Sequence, residues 1–355
     1  MTARITAARR SPVVPRGGAL SRLDIHQLGA PVVRACLADA GLEPGNVDEV
    51  IVSNALGAGG NPARLVALAA GLPEHVAGLT IDRQCAGGLD ALLLARALIE
   101  SGQADIVIAG GVESYSRRPL RFRTDPGGGA PRQYDRPAFS PFPDRDPEMA
   151  VAADRLARNL GISRGQQDDW AIASHRAALK ARARLCAEIV PLAGVEHDAF
   201  TRVLTAEHCR RARALAGDIT AANAAVAADA AAFCVVASER AARSCSRPGL
   251  RLSAGATRGG APDCPGLAPV AAIRDALCRA AITPDDLWVA EIMEAYAAQA
   301  IACVRRAGLR PEGVNPGGGA LARGHPVGAS GAVLAVRLWH ELMARGGGDG
   351  GGHGL

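Results

Sequence analysis

The stretch IDRQCAGGLDALLLARAL, residues 81–98, places one cysteine between a short β-prone segment and a long apolar run. After Cys85, the small residues Gly87 and Gly88 precede apolar residues at helical spacing, which predicts a buried helix packed closely on its neighbours. A cysteine at a helix start faces unpaired backbone N–H groups, which stabilise a thiolate. From these residues alone Cys85 is either a nucleophile or a small buried side chain.

A long-range repeat relates this stretch to a second one near the C-terminal end. The segment DAGLEPGNVDEVIV, from Asp39, parallels RAAITPDDLWVAEI, from Arg279, and 279 − 39 gives an offset of 240 residues. The same offset matches Cys85 with His325, in GHPVGASGAVLAVRLWHEL. Two related α/β halves that each present one reactive residue predict a cleft between them. His325 either takes the proton of Cys85 or polarises a carbonyl, unless it is a capping or packing residue.

The composition excludes several classes of protein. The chain has 355 residues, 48% of them apolar and 21% charged, which is ordinary for a globular protein of more than one structural unit. Its net charge of +5 comes from arginine, since Lys180 is the only lysine, and does not favour nucleic-acid binding. No apolar run reaches the roughly 18 to 20 residues of a membrane span. Nine irregularly spaced cysteines favour no disulfide framework and no metal site, and we expect a reducing, cytoplasmic setting.

The chain is predicted to contain three units. Residues 1–115 and 242–355 form the two related halves, and residues 116–241 interrupt them. The interruption begins with a loop rich in Pro, Gly and Arg and continues with helical spacing, which predicts an inserted, largely helical loop domain. Strands with helices on both faces predict a layered α/β architecture. The clearest predicted strands are DEVIVSNA (48–55), DIVIAGG (105–111) and LWVAEIM (287–293).

Competing motif interpretations fit less well. GGGALARGHP resembles a phosphate-binding loop until the required lysine, where the chain has His325. GAGGNPA begins like a dinucleotide-binding loop, but Pro62 takes the place of the third glycine. GASGA around Ser330 imitates a nucleophile elbow without its final glycine, which leaves a serine hydrolase as an outside alternative. An arginine cluster at 117–123 is either a site for a phosphorylated ligand or a solvated loop.

Taken together, these motifs resemble the thiolase family, the acetyl-CoA C-acyltransferases, over nearly the whole chain. The resemblance implies a duplicated α-β-α-β-α layered fold with an inserted, largely helical loop domain, assembled as a homodimer or homotetramer. The matching segments are ITAARRSPV (5–13), NPAR (61–64), RQCAGGLDA (83–91), IAGGVESYS (108–116), EIMEAYAAQA (291–300), which is similar to the family's NEAF segment, and GGALARGHPVGASG (318–331).

The resemblance also implies a reaction. Members of the family carry out Claisen condensation of acyl-CoA or its reverse, thiolysis of 3-ketoacyl-CoA, through an acyl thioester on a cysteine. On this basis Cys85 is the nucleophile and His325 activates it. Coenzyme A thioesters are then the substrates, with no permanently bound cofactor and no metal, and no residue of this sequence is assigned to coenzyme binding.

The sequence departs from the family pattern at three places. Met293 stands where NEAF has asparagine, and a thioether is a poor partner for an ordered water. The sequence ends at Leu355, where the family's second-cysteine motif, CxGxG, would start. Ala225 stands in place of a serine near the coenzyme. These departures imply a lowered activity and leave three interpretations open: a thiolase-type acyltransferase, acyl transfer to another acceptor or thioester hydrolysis, and a degenerate non-catalytic partner protein.

Overall fold

The computed structural model describes residues 2–247, 249–347 and 352–355. The strands are β1 (Ala3–Arg10), β2 (Val14–Pro15), β3 (Glu49–Ser53), β4 (Ala77–Ile81), β5 (Ile106–Ser114), β6 (Arg121–Arg123), β7 (Arg132–Tyr134), β8 (Ala214–Ala216), β9 (Ile219–Thr220), β10 (Ala228–Ser238), β11 (Leu250–Arg251), β12 (Leu287–Val289) and β13 (His353–Gly354). The helices are α1 (Ile25–Ala40), α2 (Pro62–Ala70), α3 (Gly87–Glu100), α4 (Met149–Asn159), α5 (Arg164–Leu185), α6 (Ala206–Arg211), α7 (Glu239–Ala242), α8 (Ala268–Ala280), α9 (Ala297–Ala307), α10 (Ala320–Arg323) and α11 (Val327–Ala344).

The main sheet has the strand order β11-β1-β10-β5-β3-β4, and β2 pairs with β10 at one end. Strand β3 is parallel to β4 and β5, whereas β10 is antiparallel to β1 and β5. The two central strands, β5 and β10, are buried along their whole length. Burial on both faces explains why their sequences are almost continuously small or apolar.

Five layers stack on one another and confirm the predicted α-β-α-β-α architecture. Helices α1 and α2 cover one face of the main sheet, where Leu28 and Val66 join the core cluster of Phe233. Helices α3 and α11 cover the other face through a cluster that includes Leu92 and Val336. Beyond α11 lies the short β12–β13 sheet, and α8 and α9 pack on it as the fifth layer.

The internal repeat is visible in the local structure. Pro44 and Pro284 are 240 residues apart, and each is the first residue of a short 3-10 helix that leads into a strand. Proline suits this place because its fixed φ matches the first helical residue and its missing N–H is not needed there. The two halves therefore share their connection geometry as well as their sequence pattern.

The inserted segment contains α4, α5 and α6 together with two small hairpins, β6–β7 and β8–β9. At residue 228 the chain returns to the main sheet as β10, between β1 and β5. The unit predicted at 116–241 therefore includes, at its C-terminal end, a central strand of the first half. The alanine-rich residues 228–232 have high helix propensity, and complete burial between two strands overrides it.

A buried ion cluster joins the first strand, the inserted segment and the last long helix. Arg10 at the end of β1 pairs with Glu188 at 2.7 Å and with Asp198 at 2.7 Å, and Arg337 of α11 pairs with Glu188 at 2.5 Å and with Glu341. Arg10 has none of its surface exposed. Burial by itself raises the pKa of Glu188, but Arg10 and Arg337 outweigh burial and lower this pKa to about 2.

Glu291 lies at the edge of this cluster with weaker partners. Its carboxylate oxygens lie 3.6 Å from Arg337 and 3.9 Å from Arg323, and neither oxygen accepts a hydrogen bond within the described residues. Burial raises the pKa of Glu291 to about 7, although both arginines act in the opposite direction. Glu291 is therefore a carboxyl group whose charge is only partly compensated.

In the part of the chain that the structure describes, every helix is too short or too polar to cross a lipid bilayer.

Candidate active site

The structure brings together the two residues that the repeat singles out. Cys85 lies in a 3-10 turn, Gln84–Ala86, immediately before α3, and His325 lies two residues before α11. The Cys85 Sγ atom is 2.9 Å from His325 Nε2. This distance is short for a hydrogen bond to sulfur, and it places a base directly against the thiol.

Glycines allow the helices that follow Cys85 and His325 to meet at their first turns. A Cβ atom on Gly331 would lie 2.7 Å from the backbone nitrogen of Leu89 and 3.2 Å from the carbonyl oxygen of Cys85. A Cβ atom on Gly88 would overlap the backbone of Ala332. The small residues in CAGG and GASG therefore set the backbone separation that brings Cys85 and His325 into contact.

Two contacts hold the imidazole of His325 in place. Its backbone N–H donates to the carbonyl of Val226 at 2.8 Å, and its Nδ1 lies 2.6 Å from the Ser330 hydroxyl oxygen. When the Cys85 thiol donates to Nε2, Nδ1 carries the ring hydrogen and donates it to Ser330. Ser330, which the sequence offers as an outside candidate for a hydrolase nucleophile, is buried and serves here as a partner of His325.

Burial keeps both members of the pair neutral. Desolvation raises the pKa of the Cys85 thiol to about 12; hydrogen bonding from its own backbone opposes the rise, and the nearby carboxyl of Glu113 adds to it. Desolvation also lowers the pKa of His325 to about 4. Removal from water therefore opposes the thiolate that the start of α3 is expected to stabilise. Both pKa shifts favour a thiol beside a neutral imidazole.

Glu113 organises the floor of the site, and sequence reasoning did not identify it. It is fully buried at the end of β5 and accepts hydrogen bonds from the Asn54 side chain and from the backbone N–H groups of Ala55, Leu56 and Gly328. Gly328 lies in the first turn of α11, three residues after His325. Burial raises the pKa of Glu113 to about 7, and the backbone hydrogen bonds limit the rise. A glutamate within a buried strand, in GGVES, is the signal that could have revealed it.

Glu294 has a similar anchoring role in the second half. It is buried, directly after Met293, and accepts four hydrogen bonds from the inserted segment and the second half. The donors are Trp170 Nε1 at 3.0 Å, the Ser174 hydroxyl at 2.8 Å, Asn315 Nδ2 at 2.9 Å and the backbone N–H of Leu321 at 3.2 Å. This anchoring fixes the backbone of the MEAY segment. Met293 itself, in the place of the NEAF asparagine, is half-buried and has no N–H or O–H to offer.

The arginine cluster of the inserted loop is engaged by protein partners. Arg117 forms an ion pair with Asp24, Arg118 donates to the carbonyl of Tyr115 at 3.0 Å, and Arg121 donates to the carbonyl of Leu56 at 3.0 Å. Arg123 stacks over the ring of Tyr134. These contacts favour the interpretation of a solvated loop, with its arginines bound to protein groups, over a site for a phosphorylated ligand.

The described residues show no group of side chains that could bind a metal ion. Across residues 2–247, 249–347 and 352–355, no three His, Cys, Asp or Glu side chains lie together in a way that could hold a metal ion.

Comparisons with known proteins agree with this geometry. Residues 3–240 match the family model of the thiolase N-terminal domain, and residues 247–352 match that of the thiolase C-terminal domain. The "Putative acetyl-CoA C-acetyltransferase YhfS" of Bacillus subtilis (strain 168) is 41% identical over 354 residues, which are 97% of this chain and 93% of the relative. A "Probable acetyl-CoA acyltransferase" of Staphylococcus aureus (strain COL) is 36% identical over 95% of this chain and 92% of the relative.

A solved structure shows the same fold. The crystal structure of the Bacillus anthracis acetyl-CoA acetyltransferase superposes with a TM-score of 0.90 at 34% identity, covering 97% of this chain and 93% of that chain. Sequence and fold agree over nearly the whole length, with the predicted cysteine and histidine in contact. The chain belongs to the thiolase family.

Proposed function

We propose that this chain is a thiolase-type acyltransferase that forms an acyl thioester on Cys85 from acyl-CoA and carries out Claisen condensation or thiolysis of 3-ketoacyl-CoA. The observation that carries the proposal is the 2.9 Å contact between Cys85 Sγ and His325 Nε2, in a chain that belongs to the thiolase family. The printed names of the relatives, acetyl-CoA acetyltransferase and acyltransferase, support the substrate class.

The first half-reaction follows from the neutral pair. As the acyl carbonyl approaches, His325 Nε2 takes the thiol proton and Cys85 Sγ bonds to the carbonyl carbon. When the tetrahedral intermediate collapses, the bond from the carbonyl carbon to the coenzyme A sulfur breaks, and the departing thiolate receives the proton back from His325. Ser330 holds Nδ1–H throughout, which keeps Nε2 directed at the sulfur. The products are acyl-Cys85 and free coenzyme A.

The other interpretations are less well supported. A degenerate partner protein has no need of a thiol and an imidazole in contact, and both are retained here. The chain also retains Glu113 and Glu294, each of which accepts four hydrogen bonds. Hydrolysis of the acyl enzyme is not favoured by the relatives, whose printed names describe acetyl-CoA acetyltransferase and acyltransferase activities. Transfer of the acyl group to carbon or to coenzyme A therefore remains the function that the site supports best.

We further propose a homo-oligomer of chains with three units, 1–115, 116–241 and 242–355, of which the middle one returns to the main sheet at β10, in a reducing compartment such as the cytoplasm. Strand β4 is an edge of the main sheet, and large apolar side chains are exposed on it and on the adjacent helices: Leu65, Leu68, Leu79, Leu89 and Leu94 are each 40–45% exposed. All nine cysteines are free thiols. Sedimentation of the native chain and of a Leu79→Arg variant tests the assembly.

The experiment that tests the proposed function is intact-protein mass spectrometry after brief incubation with acetyl-CoA. The native chain should gain one acetyl group, and Cys85→Ala should gain none. Cys186→Ala removes an exposed cysteine instead and serves as the matched control, which should acetylate as the native chain does. Acetylation of Cys85→Ala, or none on any of the three proteins, would overturn the assignment.

A further inference from the structure

Two of the three tyrosines of this chain flank the Cys85–His325 pair. Tyr115 directly follows β5, two residues after Glu113, and Tyr296 directly precedes α9. Burial is the main cause of a raised pKa in both phenols. Cys85 and then Glu113 raise the pKa of Tyr115 further, and Glu148 and then Cys85 raise that of Tyr296. These electrostatic interactions agree with the placement of both tyrosines beside the elements that carry Cys85 and His325. The third tyrosine, Tyr134, lies in the hairpin of the inserted loop.

The backbone places Tyr296 and His325 along one extended segment. Residues 223–227 bridge to Tyr296 through Ala224 and to His325 through Ala227. The contacts include the hydrogen bonds of Ala225 N–H to the carbonyl of Ala295, at 3.0 Å, and of His325 N–H to the carbonyl of Val226. Three residues of extended chain span about 10 Å, so the backbones of Tyr296 and His325 lie about that far apart along the same segment. The segment therefore holds Tyr296 and His325 at a fixed separation.

The hydroxyl of Tyr296 is available for a ligand. The ring is half-buried and packs against an apolar cluster that includes Leu156 of α4 and Ile301 of α9. Within the described residues the phenol forms no side-chain hydrogen bond. Its oxygen is not completely enclosed by the protein. Packing holds the ring in place, while the hydroxyl has no hydrogen-bond partner and stays accessible. The hydroxyl is therefore suited to donate a hydrogen bond to a molecule that enters the cleft.

The MEAY segment differs from NEAF at both ends in a complementary way. Met293 removes a hydrogen-bonding amide, and Tyr296 adds a hydroxyl where the motif has phenylalanine. Resting on the proposed function, we propose that the Tyr296 hydroxyl donates a hydrogen bond to the thioester oxygen of the second acyl group, the oxygen that becomes an enolate when the carbon–carbon bond forms or breaks. Tyr296 thereby supplies a hydrogen-bond donor in a segment where Met293 has none.

The step is balanced in the thiolysis direction. The Cys85 thiol gives its proton to His325, and the sulfur bonds to the ketone carbon of a 3-ketoacyl-CoA. As the bond between the ketone carbon and its neighbouring Cα breaks, the electron pair moves onto the thioester oxygen, where Tyr296 donates its hydrogen bond. The Cα then takes the proton from His325, which leaves acetyl-CoA and acyl-Cys85. The phenol keeps its own proton throughout.

The test separates the two half-reactions of the native chain and of Tyr296→Phe. Acetylation of Cys85 by acetyl-CoA, followed by mass spectrometry, should be unchanged in Tyr296→Phe, because the first half-reaction does not use the phenol. Thiolysis of acetoacetyl-CoA should fall about 100-fold, the usual cost of losing one preorganised donor to a developing oxyanion. The double variant Met293→Asn with Tyr296→Phe restores an amide beside the site and should recover part of the loss.

Matched variants define the outcomes. Tyr134→Phe makes the same chemical change in the inserted hairpin and should leave thiolysis unchanged. The inference would be overturned if Tyr296→Phe carried out thiolysis within twofold of the native rate. It would also be overturned if Tyr115→Phe, and not Tyr296→Phe, lost thiolysis activity. Absence of an acetyl adduct on the native chain would instead overturn the proposed function and the inference with it. A loss of acetylation equal to the loss of thiolysis would show a structural rather than a donor role for Tyr296.

Discussion

The oxygen of Ser330 lies 2.6 Å from Nδ1 of His325, while Cys85 Sγ lies 2.9 Å from Nε2 of the same ring. One imidazole thus connects a thiol to a hydroxyl five residues further along the chain. A neutral imidazole has a single N–H, so the bond to Ser330 leaves the lone pair of Nε2 facing the sulfur. Ser330 is therefore an orienting partner of the base.

Ser330→Ala should slow acetylation of Cys85 by about tenfold or more, because the imidazole loses the contact that holds its productive orientation. Single-turnover acetylation, followed by rapid quench and mass spectrometry, measures the rate. Ser101→Ala, at the end of α3, removes an exposed hydroxyl and should acetylate at the native rate. An unaltered rate in Ser330→Ala would show that packing alone orients His325.

His325→Asn should slow acetylation of Cys85 by about 10²- to 10⁴-fold, which is the usual contribution of a positioned general base. Asparagine is smaller than histidine but keeps a planar polar end group, so the helix start at α11 should keep its structure. Circular dichroism and thermal unfolding verify the fold, and the acetylation rate provides the result. A variant that acetylates as fast as the native chain would exclude His325 as the base.

The rate of Cys85 acetylation should be nearly independent of pH between about 5 and 9. The reactive form is the neutral pair, and it dominates between the lowered pKa of His325, about 4, and the raised pKa of Cys85, about 12. Initial rates at saturating acetyl-CoA across this range provide the measurement. A sigmoidal dependence with its midpoint near the ordinary imidazole pKa would contradict the neutral pair.

Gly88→Ala should lower the free energy of unfolding by about 1–3 kcal/mol, because the new methyl group would overlap the backbone of Ala332 and force α3 and α11 apart. The same separation should weaken the contact of Cys85 with His325 and reduce acetylation. Gly45→Ala is the matched control, since a Cβ there meets no atom within 4 Å. Denaturant unfolding gives the free energies, and equal stability of the two variants would refute the close approach.

Glu291→Gln should flatten the pH dependence of stability between pH 4.5 and about 7. A carboxyl group whose pKa is raised on folding, here from 4.5 to about 7, binds more protons in the folded state, so native stability falls as pH rises through this window. Glutamine does not titrate and removes that part of the slope, up to about 3 kcal/mol. Denaturant unfolding at several pH values measures it, with the exposed Glu312→Gln as control. A parallel slope in Glu291→Gln would contradict the raised pKa.

Much of the fold and of the site could be predicted from the sequence because a repeat and short residue patterns are visible in it. The 240-residue offset pairs Cys85 with His325, and glycine-rich turns before apolar runs mark both helix starts. The return of the chain to the main sheet at Ala228 could not be predicted, because alanine favours helix and only burial between β1 and β5 makes this segment a strand. The raised pKa of Cys85 could not be predicted from the sequence either, because it depends on how much water the assembled halves exclude.

The buried ion cluster has a consequence for how the chain folds. Glu188 of the inserted segment neutralises Arg10 of the first strand and Arg337 of the last long helix, and an arginine cannot lose its charge to escape burial. The absence of any one of these segments breaks at least one buried ion pair and leaves part of the charge in the interior without its partner. We therefore expect the molecule to unfold in one cooperative transition, with the catalytic cleft forming only when the whole chain has come together.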